Sequence, residues 1–298
     1  MAVINHIQPP TPEELDAYTR KLYEDALSDP SHFPNWYDGL SKYFRTPDSV
    51  FVPIDLARFS WLSCDDYADD RIEEFGAYLM GYLEKAQALG FGFPVFLKGS
   101  TFSNKFNFVD CVVHEGITAA ELGRKALDIF YMAMCGDRYD AGFVFRRFIA
   151  APDGTPSIYE GMPLRPEFRV FYDFDRKLVL CVKPYWDVPT MTRGLYDPAD
   201  RESFAQAAPA LEAAFLANAH AVSRHVSDAL AGYVGRPGGV RSASIWSLDF
   251  LMEPDGTLWF IDAAVGFRSH SYDTLEADDR ALDRIYTKEY PGGRPVLA

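Results

Sequence analysis

The chain has 298 residues, 48% of them hydrophobic and 15% aromatic, enough to bury a substantial core and to exclude global disorder. Its 29 Lys+Arg against 43 Asp+Glu leave a formal net charge of −14. That balance argues against a nucleic-acid backbone or an anionic membrane as the main partner, and requires any bound polyanion to be small and locally compensated. Cys64, Cys111, Cys135 and Cys181 are scattered, with no C-x-x-C and no paired histidines at ligand spacing, so they read as reduced core thiols. The N-terminus lacks a basic stretch followed by an apolar run, no segment has the length to span a bilayer, and a cytoplasmic protein is the expectation.

Along the chain, Thr11-Pro12-Glu13-Glu14 forms a helix start with a capping box, and Leu15, Tyr18 and Leu22 follow on one side. The Pro- and aromatic-rich stretch 28–53 reads as loop with short strands. Asp65 or Asp66 caps a second helix whose buried stripe is Ile72, Phe75, Leu79, Leu83 and Ala86, ended by Gly90 and Gly92. Strands are expected at 94–98 and 106–113, separated by a polar loop. Thr118 and Glu121 make another capping box, opening a helix to about Met134, and 142–149 is again strand. A hairpin joins 167–172 to 178–183, a long helix spans about 200–233, and a second hairpin pairs 245–252 with 257–262 across Glu253-Pro254-Asp255-Gly256.

The second hairpin carries the sharpest chemical signal. With Glu253 to Gly256 as the turn, Met252 faces Thr257, Asp249 faces Phe260, and Asp249 and Asp262 become diagonal neighbours on one face. Such a pair can hold a hard cation beside phosphates, or can be two aspartates on a solvated sheet face. The flanking Trp246, Leu248, Phe250, Trp259 and Ile261 make an uncompensated carboxylate there costly. Lys98 ends an apolar strand and precedes Gly99-Ser100-Thr101, a loop that offers hydroxyls and backbone N–H groups to phosphate, although no Walker A pattern is present. Glu167 and Arg169 alternate with Phe168 and Val170 and so share a face, as a surface salt bridge or as an arginine held for phosphoryl charge. Arg146 and Arg147 straddle the two faces of their strand, and Lys183 nears Glu167 if the hairpin register permits. His220 and His225 are five apart on a helix, which excludes the i, i+4 metal arrangement, and His270 reads as a loop histidine beyond the hairpin.

Taken in order, the strand-end Lys98, the strand Phe143-Val144-Phe145-Arg146-Arg147-Phe148, the Glu167-Phe168-Arg169 strand and the two-carboxylate hairpin resemble the ATP-grasp superfamily over residues 93–268. The nearest branch is the divergent one containing the eukaryotic initiation-factor-assembly proteins and bacterial and phage proteins proposed to be peptide ligases. The resemblance implies an α+β fold in which two α/β subdomains with antiparallel sheets sandwich a nucleotide. It divides the chain into an N-terminal region 1–92, a central subdomain 93–163 and a C-terminal subdomain 164–298. It implies ATP and Mg²⁺ as cofactors, Lys98 and Arg169 as catalytic residues, and Asp249 and Asp262 as metal ligands. Lys98, Ser100, Phe145, Arg146, Arg147, Phe148, Glu167 and Lys183 would bind the nucleotide. The implied activity is a carboxylate–amine ligase working through an acylphosphate, with peptides or proteins among its candidate substrates; the alternatives are a non-catalytic ATP-binding assembly chaperone and a nucleotidyltransferase using Lys98. One departure stands out: Ala264 occupies the position where many of these enzymes have a metal-ligating Asn.

Overall fold

The computed structural model describes residues 11–64, 67–239 and 242–281. Helix α1 (Pro12–Ser28) starts at Thr11 with the expected capping box. The stripe read into it packs only at its end: Leu15 and Tyr18 are 51% and 57% exposed, Leu22 is half-buried against the core, and Ala26 alone in the helix is fully buried. The stretch expected to be loop holds a helix, α2 (Phe33–Leu40), before strand β1 (Ser49–Pro53). Pro34 misled the reading, because in the first helical turn proline costs no hydrogen bond and fits the backbone. Helix α3 (Leu56–Leu62) follows, and then α4 (Asp69–Ala88), which buries Ile72, Phe75, Leu79, Leu83 and Ala86 as its periodicity predicts. The expected caps Asp65 and Asp66 lie outside the described residues, and the helix begins after Ala68 with no side-chain cap.

Strand β2 (Val95–Gly99) is as expected, whereas the strand anticipated at 106–113 is a turn of helix, α5 (Phe108–Cys111), running into the two-residue β3 (Val112–Val113). Helix α6 (Ala119–Cys135), capped by Thr118 and Glu121, leads to β4 (Gly142–Arg147). These strands form an antiparallel sheet in the order β1-β4-β2-β3. Val95, Leu97, Phe143 and Phe145 face α4 and α6, in a core that also draws on Ala26, Val52 and Phe59. One core therefore spans both sides of residue 92. The helices cross at glycines: a Cβ on Gly76 would stand 1.7 Å from the Ala119 carbonyl oxygen, and one on Gly123 would stand 2.2 Å from that of Ile72.

After the small ribbon β5 (Ser157–Ile158) and β6 (Met162–Pro163), the chain enters β7 (Glu167–Asp173) and β8 (Leu178–Pro184), the first expected hairpin. A short helix α7 (Val188–Gly194) and the long α8 (Pro198–Leu230) precede β9 (Ile245–Met252) and β10 (Leu258–Val265), and α9 (Ala277–Ala281) closes the described chain. The second sheet is also antiparallel, in the order β10-β9-β7-β8. Its back face, with Phe168, Val170, Leu248 and Phe250, packs on Val222, Val226 and Leu230 of α8 and on Trp36 and Leu40 of α2. Alternation along each strand turns the intervening residues to the front, where the two sheets meet. Among the described residues no helix is long and apolar enough to cross a membrane.

Candidate functional site

Between the sheets lies a cleft of about 660 Å³. Its apolar walls include Phe96, Phe108, Phe148 and Met162, and its charged lining is Lys98, Lys105, Arg146, Arg147 and Arg165 against Glu167 and Asp262. Five cations to two carboxylates make it locally basic in a chain of net charge −14, the local compensation that a small polyanion requires.

The terminal hairpin reaches this arrangement through a register that differs from expectation. Met252 pairs with Leu258 and Phe250 with Phe260, and a bulge at Ile261 then sets Asp262 directly opposite Asp249. The extra residue brings both Ile261 and Asp262 to the cleft, and the two aspartates are direct cross-strand partners instead of diagonal ones. Asp249 in turn pairs with Arg169 and Arg169 with Lys183, so a row Lys183–Arg169–Asp249–Asp262 crosses the front of the sheet. Arg169 clamps Asp249 with Nε to Oδ1 at 2.8 Å and Nη2 to Oδ2 at 2.7 Å, and a further N–H reaches the His270 carbonyl at 3.3 Å. Burial works against the Arg169 charge, but Asp249 more than reverses it and raises its pKa.

Lys98 comes from the other sheet. Its fully buried ammonium donates to Oδ1 of Asp262 at 2.9 Å and so ties β2 to β10. Burial pulls its pKa below the ordinary lysine range, with Asp262 opposing and Arg146 adding to the fall. Burial alone would raise the Asp262 carboxyl, yet Lys98 and Arg146 together hold it below the usual carboxylate range. Arg146 donates to the Ile261 carbonyl and, at 3.2 Å, to the Ser49 hydroxyl. Glu167 is also buried; its Oε2 accepts from Lys105 at 3.1 Å while its Oε1 has no partner among the described residues.

Several nucleotide-binding expectations change. Phe145 packs in the helical core behind its sheet, away from the cleft, because β4 alternates and Arg146 takes the front. Ser100 turns from the cleft and donates to Asp140 at 3.1 Å. Lys183 shares the face of Arg169 but does not line the cleft. Arg147 and Phe148 do line it, although the Arg147 guanidinium is paired outward to Asp48 at 2.8 Å. Lys105 and Arg165 were missed. Lys105 closes the loop after Lys98, and charge at that loop's end was its available signal; Arg165 donates to the carbonyls of Ile149 and Ala150 at 3.1 and 2.9 Å, a contact no local pattern announces.

The loop after Lys98 is held from below. Oδ1 of the fully buried Asp140 accepts from the Ser100 hydroxyl and from the Thr101 hydroxyl and N–H at 2.8 and 2.5 Å. A Cβ at Gly99 would stand 1.9 Å from Asp140 Oδ2, so residue 99 must be glycine for the carboxyl to fit. Burial pushes the Asp140 carboxyl up to about 6. A raised folded pKa means that its contribution to stability is complete below the ordinary carboxylate range and lost as the pH climbs through about 6. Asp140→Asn, which stays neutral, is therefore expected to gain on wild type by on the order of 2 kcal/mol between pH 4.5 and 7.5 in urea unfolding. A constant difference between the two proteins over that range would show the carboxyl to be ionised throughout.

The donor chemistry of the hairpin suits Mg²⁺, which takes one or two carboxylates and keeps several waters. Oδ2 of Asp262 has no hydrogen bond among the described residues, and Asp249 adjoins it although both its oxygens are shared with Arg169. Ala264 pairs with Ser247 and offers no ligand, and among the described residues no three His, Cys, Asp or Glu side chains are grouped to hold a metal.

No family model matches the sequence, and no curated protein matches it. Among solved structures the chain is similar to C-terminally truncated Cdc123 from Schizosaccharomyces pombe, at 14% identity and TM-score 0.43 over 88% of this chain and 92% of that one. It is similar also to the VanG D-Ala:D-Ser ligase from Enterococcus faecalis, at 14% identity and TM-score 0.38 over 84% of this chain and 56% of the ligase. A third is N5-carboxyaminoimidazole synthase from Aspergillus clavatus, in complex with ADP and its ribonucleotide, at 10% identity and TM-score 0.37 over 81% of this chain and 45% of that one. The chain thus spans nearly all of the first and about half of the other two. At these scores the likeness says nothing of activity, which has to be read from the side chains. What the structure establishes is the architecture itself, helices packed on two antiparallel four-stranded sheets.

Proposed function

We propose that the protein is an ATP- and Mg²⁺-dependent carboxylate–amine ligase with a peptide or protein as substrate. The observation that carries this reading is the meeting of Lys98 from one sheet with Asp262 from the other at a basic cleft, with Asp249 beside Asp262 and clamped by Arg169. In this reading Lys98 holds the phosphates, Arg169 meets the γ-phosphate, and the apolar walls around Phe96 and Phe148 take the base. Asp249 and Asp262 would hold Mg²⁺, which supplies positive charge at the transferring phosphoryl group. A substrate carboxylate oxygen bonds to the γ-phosphorus as the β,γ-bridging bond breaks and ADP leaves. An amine then bonds to the acyl carbon, gives up its proton, and displaces phosphate. Fixed cations lining the cleft stabilise the charge that develops in the first step.

The test is calorimetric titration with Mg²⁺ and a non-hydrolysable ATP analogue. Saturable binding is expected in wild type, weakened about tenfold or more by Lys98→Ala and by Asp249→Asn combined with Asp262→Asn, as loss of charge-assisted contacts predicts. Folded wild-type protein that takes up no nucleotide would sink the reading.

A second reading, a non-catalytic ATP-dependent assembly factor, is favoured by the bidentate hold of Arg169 on Asp249 and by Ala264. Nucleotide binding without ATP turnover or amide formation across carboxylate and amine substrates would select it.

A further inference from the structure

Outside the nucleotide cleft a pocket of about 720 Å³ opens between α1 and the chain leaving β10. On the α1 side its lining includes Tyr18, Lys21, Leu22 and Asp25, with Leu22 packed against the core and Lys21 paired to Asp25 at 2.6 Å. Arg138 and Arg268 come from the other side, with Asp29 and Asp137 beside them. Arg268 is committed to Asp29. Among the described residues Arg138 is paired with no carboxylate, and its hydrogen bond there is to the Arg268 carbonyl, at 3.5 Å. A structural arginine uses its rigid fork of donors, as Arg169 does with three bonds, so a half-buried guanidinium with one long bond is poorly repaid for its desolvation. Burial, and then the like charge of Arg268, lower the Arg138 pKa to about 10.

We propose that this pocket binds a small zwitterion, a free α-amino acid or its close analogue, with its carboxylate on Arg138 and its ammonium on Asp137. Three cations, Lys21, Arg138 and Arg268, face three aspartates; Lys21 and Arg268 pair with Asp25 and Asp29, which leaves Arg138 and Asp137 to meet a ligand that carries both charges better than a phosphate, which the carboxylates would repel. The aliphatic and aromatic surface of Leu22 and Tyr139 accommodates a side chain. The pocket also communicates with the cleft: Arg268 begins a run in which the Ser269 hydroxyl bonds to that of Ser247 and the His270 carbonyl accepts from Arg169. One short segment thus walls the pocket on one side and touches the charged row on the other. The site does not rest on the nucleotide reading, and its test contains no nucleotide.

The experiment is ligand-observed NMR on the full chain with the twenty L-amino acids, followed by titration of any that bind and of its N-acetyl and carboxamide derivatives. At least one amino acid is expected to saturate the wild type, with both derivatives weaker and Arg138→Met reducing affinity at least tenfold. The melting temperature of Arg138→Met is expected to equal or exceed that of wild type, since the guanidinium makes so little of its burial. No amino acid bound at millimolar concentration, or unchanged affinity in Arg138→Met, overturns the proposal. Should Arg138→Met fail to fold, Arg138→Lys keeps the charge and loses the fork: weakened binding supports the site, and binding as tight as in wild type overturns it.

Discussion

Arg169→Ala is expected to lower stability by about 3–5 kcal/mol, the cost of leaving one member of a buried ion pair without its partner. Asp249 is 6% exposed and both its oxygens are taken by Arg169, while the Lys105 charge acts on it only through space and already pairs with Glu167. Asp249→Asn added to Arg169→Ala should recover most of the loss, because the amide carries no charge to bury. Urea unfolding of the two single variants and the double variant measures the coupling. A double variant no more stable than Arg169→Ala would mean that the damage comes from lost packing, with the pair itself contributing little.

The second large effect lies far from the cleft, at the crossing of α4 and α6. Gly76→Ala places a methyl 1.7 Å from the Ala119 carbonyl oxygen, which is backbone and cannot rotate aside. The helices must separate, opening the core around Phe75, Leu79 and Leu122, and the expected cost is at or above the upper end of the roughly 1–3 kcal/mol of ordinary overpacking. Gly81, in the same helix, supplies the control: a Cβ there meets nothing within 4 Å, so Gly81→Ala should stabilise by up to about 1 kcal/mol through helix propensity alone. Thermal melts of the two variants shifting in opposite directions would support this picture, and equal shifts would contradict it.

What was legible in the sequence was what short-range chemistry determines. Both capping boxes, the stripe from Ile72 to Ala86 and the turn chemistry at Asp173 to Lys177 depend on neighbours within a few residues, and each formed as read. What failed depends on finer geometry or on partners distant in the chain. The last hairpin turns one residue later than Glu253 to Gly256 implied, setting Met252 opposite Leu258, and the bulge at Ile261 adds a second shift; together they decide how the aspartates meet, and a register count foresees neither. Ser100 looked like a phosphate ligand until Asp140, 40 residues away, claimed its hydroxyl. The stripe of α1 has helical spacing, but only Leu22 meets the core while Leu15 and Tyr18 stay exposed, since periodicity shows which residues share a face and leaves open whether anything covers it.

The bridge from Lys98 to Asp262 has a consequence for how the cleft meets a polyanion. In the free protein each charge already has a counter-charge, supplied by the fold instead of by dissolved salt. A bound polyphosphate would draw Lys98 away from Asp262, and a divalent cation would take the vacated carboxylate, so binding amounts to an exchange of ion partners inside the protein. Few counterions would return to bulk solvent in such an exchange. Affinity would then fall off with ionic strength much less steeply than on an open basic surface, where displaced counterions provide much of the driving force.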